Sequence, residues 1–253
     1  MQFIRNISSI KKNLFSLLIA LFPLSFVAGN LLINLNIILI ILFSLAVYRM
    51  EMFKLKIFFF DKILFSYFFL IIITAIYNDY YLYKQHDFLL FLETTFRSIL
   101  FLKYLLLYLS IRVLFSNKSI DLKFFFITSG FSVLFVCLDI VYQFYNGKDI
   151  FGFETIGQGR RLGGPFGDEL IAGGYLQRFS LFLFFLLPLF LKKFSDKYSK
   201  YLIPVLFIIV LIGIILSGNR MPFILFIFSI GLILIFQKQT RKFLHYFVLL
   251  FLI

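Results

Sequence analysis

Five arginines stand apart from the other charges of this sequence: Arg97, Arg160, Arg161, Arg178 and Arg220. The planar guanidinium aligns two donors with two oxygens of one group, which suits phosphate or pyrophosphate recognition at a water boundary. Arg220 stands in Leu216-Ser217-Gly218-Asn219-Arg220-Met221-Pro222, a short polar break between two apolar runs. Gly218 and Asn219 suit a tight turn, and Pro222 suits the first turn of the helix that follows. Arg220 is thus held where a lipid phosphate or pyrophosphate lies, as a ligand-binding group or as an anchor snorkelling to headgroups. On the residue alone both readings stay open.

The second polar segment is longer and runs over 143–170. Its latter half, with the residues that follow, carries glycines at 157, 159, 163, 164, 167, 173 and 174, the pair Arg160-Arg161, then Pro165-Phe166 and the pair Asp168-Glu169. Gly164 and Gly167 permit turns and close approach to a ligand. Asp168 and Glu169 precede a long apolar run, where a helix N-terminus favours negative charge and a capping role suffices for one of them. A mixed-charge, glycine-rich loop exceeds the needs of a connector, and a binding role is expected. Arg178 follows in the next apolar run.

The other ionisable residues are less specific. Glu93 and Arg97 are four apart, so they share a helix face and are expected to neutralise one another, although Arg97 also suits a phosphate site. Lys103 lies deeper in the same run. Asp139, shortly before Gln143 and the loop, is placed to order that loop through an arginine. His86 and His245 belong to no ligand-spaced cluster, so no metal site is expected. Cys137 is the one cysteine, which rules out an intrachain disulfide.

These residues need elements to hold them, and composition says which. Hydrophobic residues make up 62% of the 253 and charged residues 15%, against about 45–50% apolar in soluble domains. Much of the Phe content, 40 residues, is expected to face lipid or fill helix contacts. Runs long enough to span a bilayer fall near 13–29, 31–48, 62–77, 88–111, 123–142, 170–190, 201–217 and 221–237, with a ninth beginning near 243. The expected fold class is all-α: one polytopic transmembrane helical bundle over 1–253. The first run is read as a spanning helix and not a cleaved signal peptide, because a second follows Gly29-Asn30 at once. The ninth run is still apolar at Ile253, and a half-built helix leaves backbone groups unpaired in hydrocarbon, so a longer chain is expected.

Charge sets the expected orientation. With the N-terminus in the cytoplasm, segments 1–12, 49–62, 112–123, 191–200 and 238–242 face inward and carry the whole net charge of +13. All other residues balance to zero. This follows the positive-inside rule and removes nucleic acid as the partner that a basic chain would otherwise suggest. The five arginines above belong to the balanced set.

Arg161-Leu162-Gly163-Gly164-Pro165-Phe166-Gly167-Asp168-Glu169, continued by Ala172-Gly173-Gly174-Tyr175-Leu176, resembles the Arg-x-x-Gly-x-Phe-Gly segment that opens a helix in the O-antigen ligase and O-antigen polymerase superfamily. Ser217-Gly218-Asn219-Arg220 resembles the Ser/Thr-Gly-Ser-Arg hairpin of the same family, and Ala28-Gly29-Asn30 is compatible with it. The resemblance covers about residues 10–253. It implies a metal- and cofactor-independent, inverting glycosyltransferase of the bacterial inner membrane with a periplasmic active face. The donor would be an undecaprenyl-pyrophosphate-linked glycan and the acceptor lipid A–core, or another lipid-linked repeat in a polymerase. Arg220 would bind pyrophosphate and Arg161 would lie near the donor, with Arg160, Arg178 and Arg97 as further candidates. Two departures stand out: Asp168-Glu169 replaces a common Asn-Pro pair, and the family's large periplasmic loop with further Arg and His is not within these residues. The catalytic base is therefore expected outside them. A transporter or flippase of lipid-linked glycans is the alternative from another class, and it would predict internal hydropathy repeats.

Overall fold

The computed structural model describes residues 2–85, 92–155, 161–191 and 196–236. Among them the chain is helical, with one isolated bridge between Lys148 and Glu154 and no strand. The helices are α1 (Gln2–Ala20), α2 (Phe22–Val27), α3 (Asn30–Tyr48), α4 (Phe59–Gln85), α5 (Glu93–Phe101), α6 (Lys103–Ser116), α7 (Leu122–Asn146), α8 (Ala172–Leu191), α9 (Asp196–Leu216) and α10 (Arg220–Phe236). Four stretches are long and apolar enough to cross a membrane: Asn30–Tyr48, Phe59–Tyr81, Glu93–Ser116 and Leu122–Asn146. Large side chains such as Phe59 and Phe131 remain 78% and 72% exposed, which suits lipid and not water. This is a helical membrane protein. Nine spans are expected from hydropathy; the described residues contain four that meet the length and apolarity required, and the ninth run lies outside them.

Several helix limits differ from the sequence expectation, and α7 runs on to Asn146, four residues past its apolar run. The run at 13–29 is broken at Leu21, because Pro23 lacks the N–H that a continuous helix would use. The third run continues to Gln85 instead of ending near 77. The polar residues past Tyr77 remain helical, and Asp79 gains a role there: its carboxylate accepts from Thr95 N at 2.7 Å and Thr94 N at 3.3 Å, capping α5 from another helix. The fourth run begins at Glu93 and reaches Ser116, with only Leu102 interrupting α5 and α6.

The chain divides into two compact units, Met1–Ile19 with Leu31–Asp121 and Ala20–Asn30 with Leu122–Ile253. In the first, Asp61 is 1% exposed and binds Arg112 at 2.6 Å, while Tyr108 donates its hydroxyl to the same carboxylate. In the second, α7 is central. Val133, Val136, Cys137 and Ile140 line one α7 face and meet Leu176 and Phe179 of α8, Val210 and Ile214 of α9, and Phe226 and Ile230 of α10. This core carries the polar segments at the loop end of α7.

Candidate functional site

The candidate site lies wholly in the second unit, where the two polar segments meet. At the turn between α9 and α10, Gly218 takes φ +73°, and Ser217 donates its hydroxyl to Ile214 O at 2.7 Å. Asn219 donates its amide to Leu170 O at 3.0 Å, tying this hairpin to the end of the loop before α8. Gly173 completes the joint. A Cβ there would lie 2.4 Å from Ser217 Oγ and 3.1 Å from Asn219 Cβ, so only glycine lets the hairpin seat on the first turn of α8. A third segment joins them, since Asn30 donates to Glu169 Oε1 at 3.2 Å.

Beside this junction is a cavity of about 730 Å³, within the range of small-molecule sites. Its polar wall is Arg178 with Asn219, next to Leu170, Ile171 and Pro222. Its apolar wall is aromatic: Phe22 and Phe26 from α2, Phe125 from α7, and Tyr175, Phe179 and Phe182 from α8. The rings pack on one another, with Tyr175 and Phe179 at 4.6 Å and Phe26 and Phe179 at 5.5 Å between centroids. Tyr175 spends its hydroxyl on Pro23 O at 3.0 Å, which fixes α2 against α8. From Ile171 to Phe182 the wall follows eleven residues of chain, roughly 16 Å at the helical rise.

The loop is held from below by α7. Asp139 accepts from Ile150 N at 2.9 Å, and Gln143 accepts from Gly164 N at 2.9 Å while donating to Phe153 O at 3.2 Å. Asp139 therefore orders the loop as anticipated, but through a main-chain N–H in place of an arginine. Leu162 is buried, Gly164–Phe166 forms a single 3-10 turn, and the Phe166 ring meets Tyr175 at 5.2 Å. Gly167 turns back at φ +60°. Asp168 and Glu169 are exposed and stand ahead of α8, and Glu169 holds Asn30.

The expected arginines separate. Arg178 is in the cavity wall. Arg220 is exposed, begins α10 and neighbours the lining residue Asn219. Arg161 is exposed on the loop. None of these three pairs with a carboxylate among the described residues. Arg97 belongs to the first unit, where it pairs with Glu93 and lines a separate groove of about 420 Å³ with Thr94, Ser98 and Asn78. Arg160, His86 and His245 lie outside the described residues.

The sequence does not mark Asn219 and Gln143 as structural ties, and it divides the Phe content between lipid and helix contacts without saying which rings line a cavity. The signal available for Gln143 was its four-residue spacing from Asp139 at the end of an apolar run. The arrangement suits an amphiphile, with an anionic head at Asn219 and Arg178 and an apolar chain along the rings. No described lining residue is placed to act as a base, because the Tyr175 hydroxyl is already donated. Compared with models of known protein families, curated proteins and solved structures, the chain matches none.

Proposed function

We propose that this chain is the membrane bundle of an inverting, metal-independent glycosyltransferase of the O-antigen ligase type. It passes an undecaprenyl-pyrophosphate-linked glycan to lipid A–core or a related acceptor at the periplasmic face of a bacterial inner membrane. One observation carries the reading: the hairpin ending in Arg220 seats on Gly173 beside a cavity whose walls are Arg178, Asn219 and a row of aromatic rings. The pyrophosphate sits at the polar end and the isoprenoid chain follows the rings. A pyrophosphate-linked sugar already has a good leaving group, so the chief demand on the protein is to stabilise departing negative charge, which arginines do without a metal. An acceptor hydroxyl attacks the anomeric carbon, assisted by a base outside the described residues.

The charge pattern supports nine spans with the N-terminus in the cytoplasm. Several contacts within each unit pair segments that this reading places on the same side. Asn117 reaches Glu51 at 3.2 Å and Arg112 reaches Asp61, joining two segments assigned inward. Asp79 joins the outward ends of α4 and α5, and Asn219 and Glu169 join three outward segments. A polymerase uses the same donor site and differs only in its acceptor, another lipid-linked repeat.

The test is binding of undecaprenyl pyrophosphate to the full chain in nanodiscs, followed by transfer to each acceptor. Arg178→Ala and Arg220→Ala should each weaken binding by about 30-fold, since a charge-assisted hydrogen bond contributes about 2 kcal/mol. Unchanged affinity in both folded variants would sink the reading. Transfer to lipid A–core alone selects the ligase, and transfer to the repeat alone selects the polymerase.

A further inference from the structure

We infer that Asp139 and Gln143 are positioning residues that clamp the 147–155 and 161–167 segments, which lie between α7 and α8, onto the end of α7 and so set where Arg161 stands. In its functional half this rests on the proposed donor site. The two residues are four apart and share one face of α7, and each is 0% exposed. Gln143 is bonded at both ends of its amide: its oxygen takes Gly164 N and its nitrogen gives to Phe153 O. One side chain thus bridges the 147–155 and 161–167 halves, and Asp139 adds Ile150 N to the first half.

The backbone geometry makes this a close seat. Gly164 has φ +56°, and a Cβ there would lie 3.0 Å from Ile140 Cγ1 and 3.6 Å from Asp139 Oδ2. The two halves also touch directly, because a Cβ on Gly167 would lie 3.1 Å from the Phe153 ring. Arg161 is three residues before the Gly164 N–H that Gln143 holds, and the intervening Leu162 is 2% exposed. The exposed arginine is therefore fixed from its C-terminal side by one buried side chain and one buried amide.

Among the described residues Asp139 Oδ2 has no hydrogen-bond partner, and neither has Asp149 Oδ2 in the adjacent turn. Leaving a buried polar oxygen unsatisfied is unfavourable, and an amide at 139 would still accept from Ile150 N.

The experiment is hydrogen exchange of the full chain in nanodiscs, read at the Gly164, Phe153 and Ile150 amides, with the Kd for undecaprenyl pyrophosphate measured on the same samples. Gln143→Leu should speed exchange at Gly164 by about tenfold, the effect of losing one net hydrogen bond of about 1.4 kcal/mol, and should raise the Kd by a similar factor. Gln143→Glu keeps the acceptor and loses the donor. It should protect Gly164 while loosening the 147–155 half, an asymmetry that general destabilisation does not produce. Asp139→Asn should keep Ile150 protected, and Gly164→Ala should release the loop with Gln143 intact. Unchanged exchange in Gln143→Leu would overturn the clamp. Faster exchange with unchanged Kd would overturn the positioning role and leave the donor site standing. A wild-type chain that binds no undecaprenyl pyrophosphate sinks the donor site, and the clamp is then judged on exchange alone.

Discussion

Two arginine environments, one in each unit, divide structural charge from available charge. Arg112 of the first unit binds Asp61 at 2.6 Å, donates to Lys56 O at 2.9 Å and stacks 5.2 Å from the Phe58 ring. That guanidinium is engaged by a carboxylate, a carbonyl and a ring, and the side chain is 18% exposed. Arg178 and Arg220 of the second unit are exposed and pair with no described carboxylate. The difference follows from the neighbours and not from the residue type. An arginine opposite a buried acid completes a fold, whereas an arginine beside an amide and a ring-lined cavity is left to meet a ligand. Arg97 falls between the two, exposed yet paired with Glu93.

The largest effect should come from breaking the committed environment. Asp61→Ala leaves Arg112 without its partner and should lower the thermal midpoint in detergent by more than the loss of an exposed pair does. A loss no greater than that of an exposed pair would erase the distinction. Next is Arg220→Lys, which keeps the charge and loses the fork. It should insert normally, keep the wild-type midpoint and weaken undecaprenyl pyrophosphate binding by about tenfold, less than Arg220→Ala. Equal binding by lysine would show that charge alone suffices there. The smallest effect belongs to Arg97→Ala. An exposed i,i+4 pair contributes about 0.3–0.5 kcal/mol, so both midpoint and affinity should stay near wild type. A large loss of affinity would move Arg97 into the available class.

Much of this arrangement was legible in advance. The apolar run at 31–48 is α3 (Asn30–Tyr48), and the polar break at Ser217-Gly218-Asn219 is the turn between α9 and α10. Hydropathy finds these because apolar length alone defines them. It fails where a polar residue stabilises a helix from afar. Asp79 caps α5 across sixteen residues of sequence, so α4 outlasts its apolar run and α5 starts later than expected. It also fails at Leu21, where the apolar run continues but Pro23 removes a hydrogen bond. The ring wall was illegible for a compositional reason. Among 40 Phe residues, nothing local separates Phe22, Phe26 and Phe125 from those that face lipid, and only packing against α8 does so. The seat on Gly173 was hidden likewise, since its requirement comes from Ser217 and Asn219, more than forty residues away.

The bond from Asn219 to Leu170 has an entropic side. An amide nitrogen carries two hydrogens, and one is committed to the Leu170 carbonyl at 3.0 Å. The rotamer of Asn219 is thereby chosen during folding, before any ligand arrives. Freezing a free polar side chain on binding costs about 0.5–1.5 kcal/mol, and Asn219 is spared most of that cost while Arg178 is not. A ligand held between the two would therefore lose less conformational freedom at the amide than at the guanidinium.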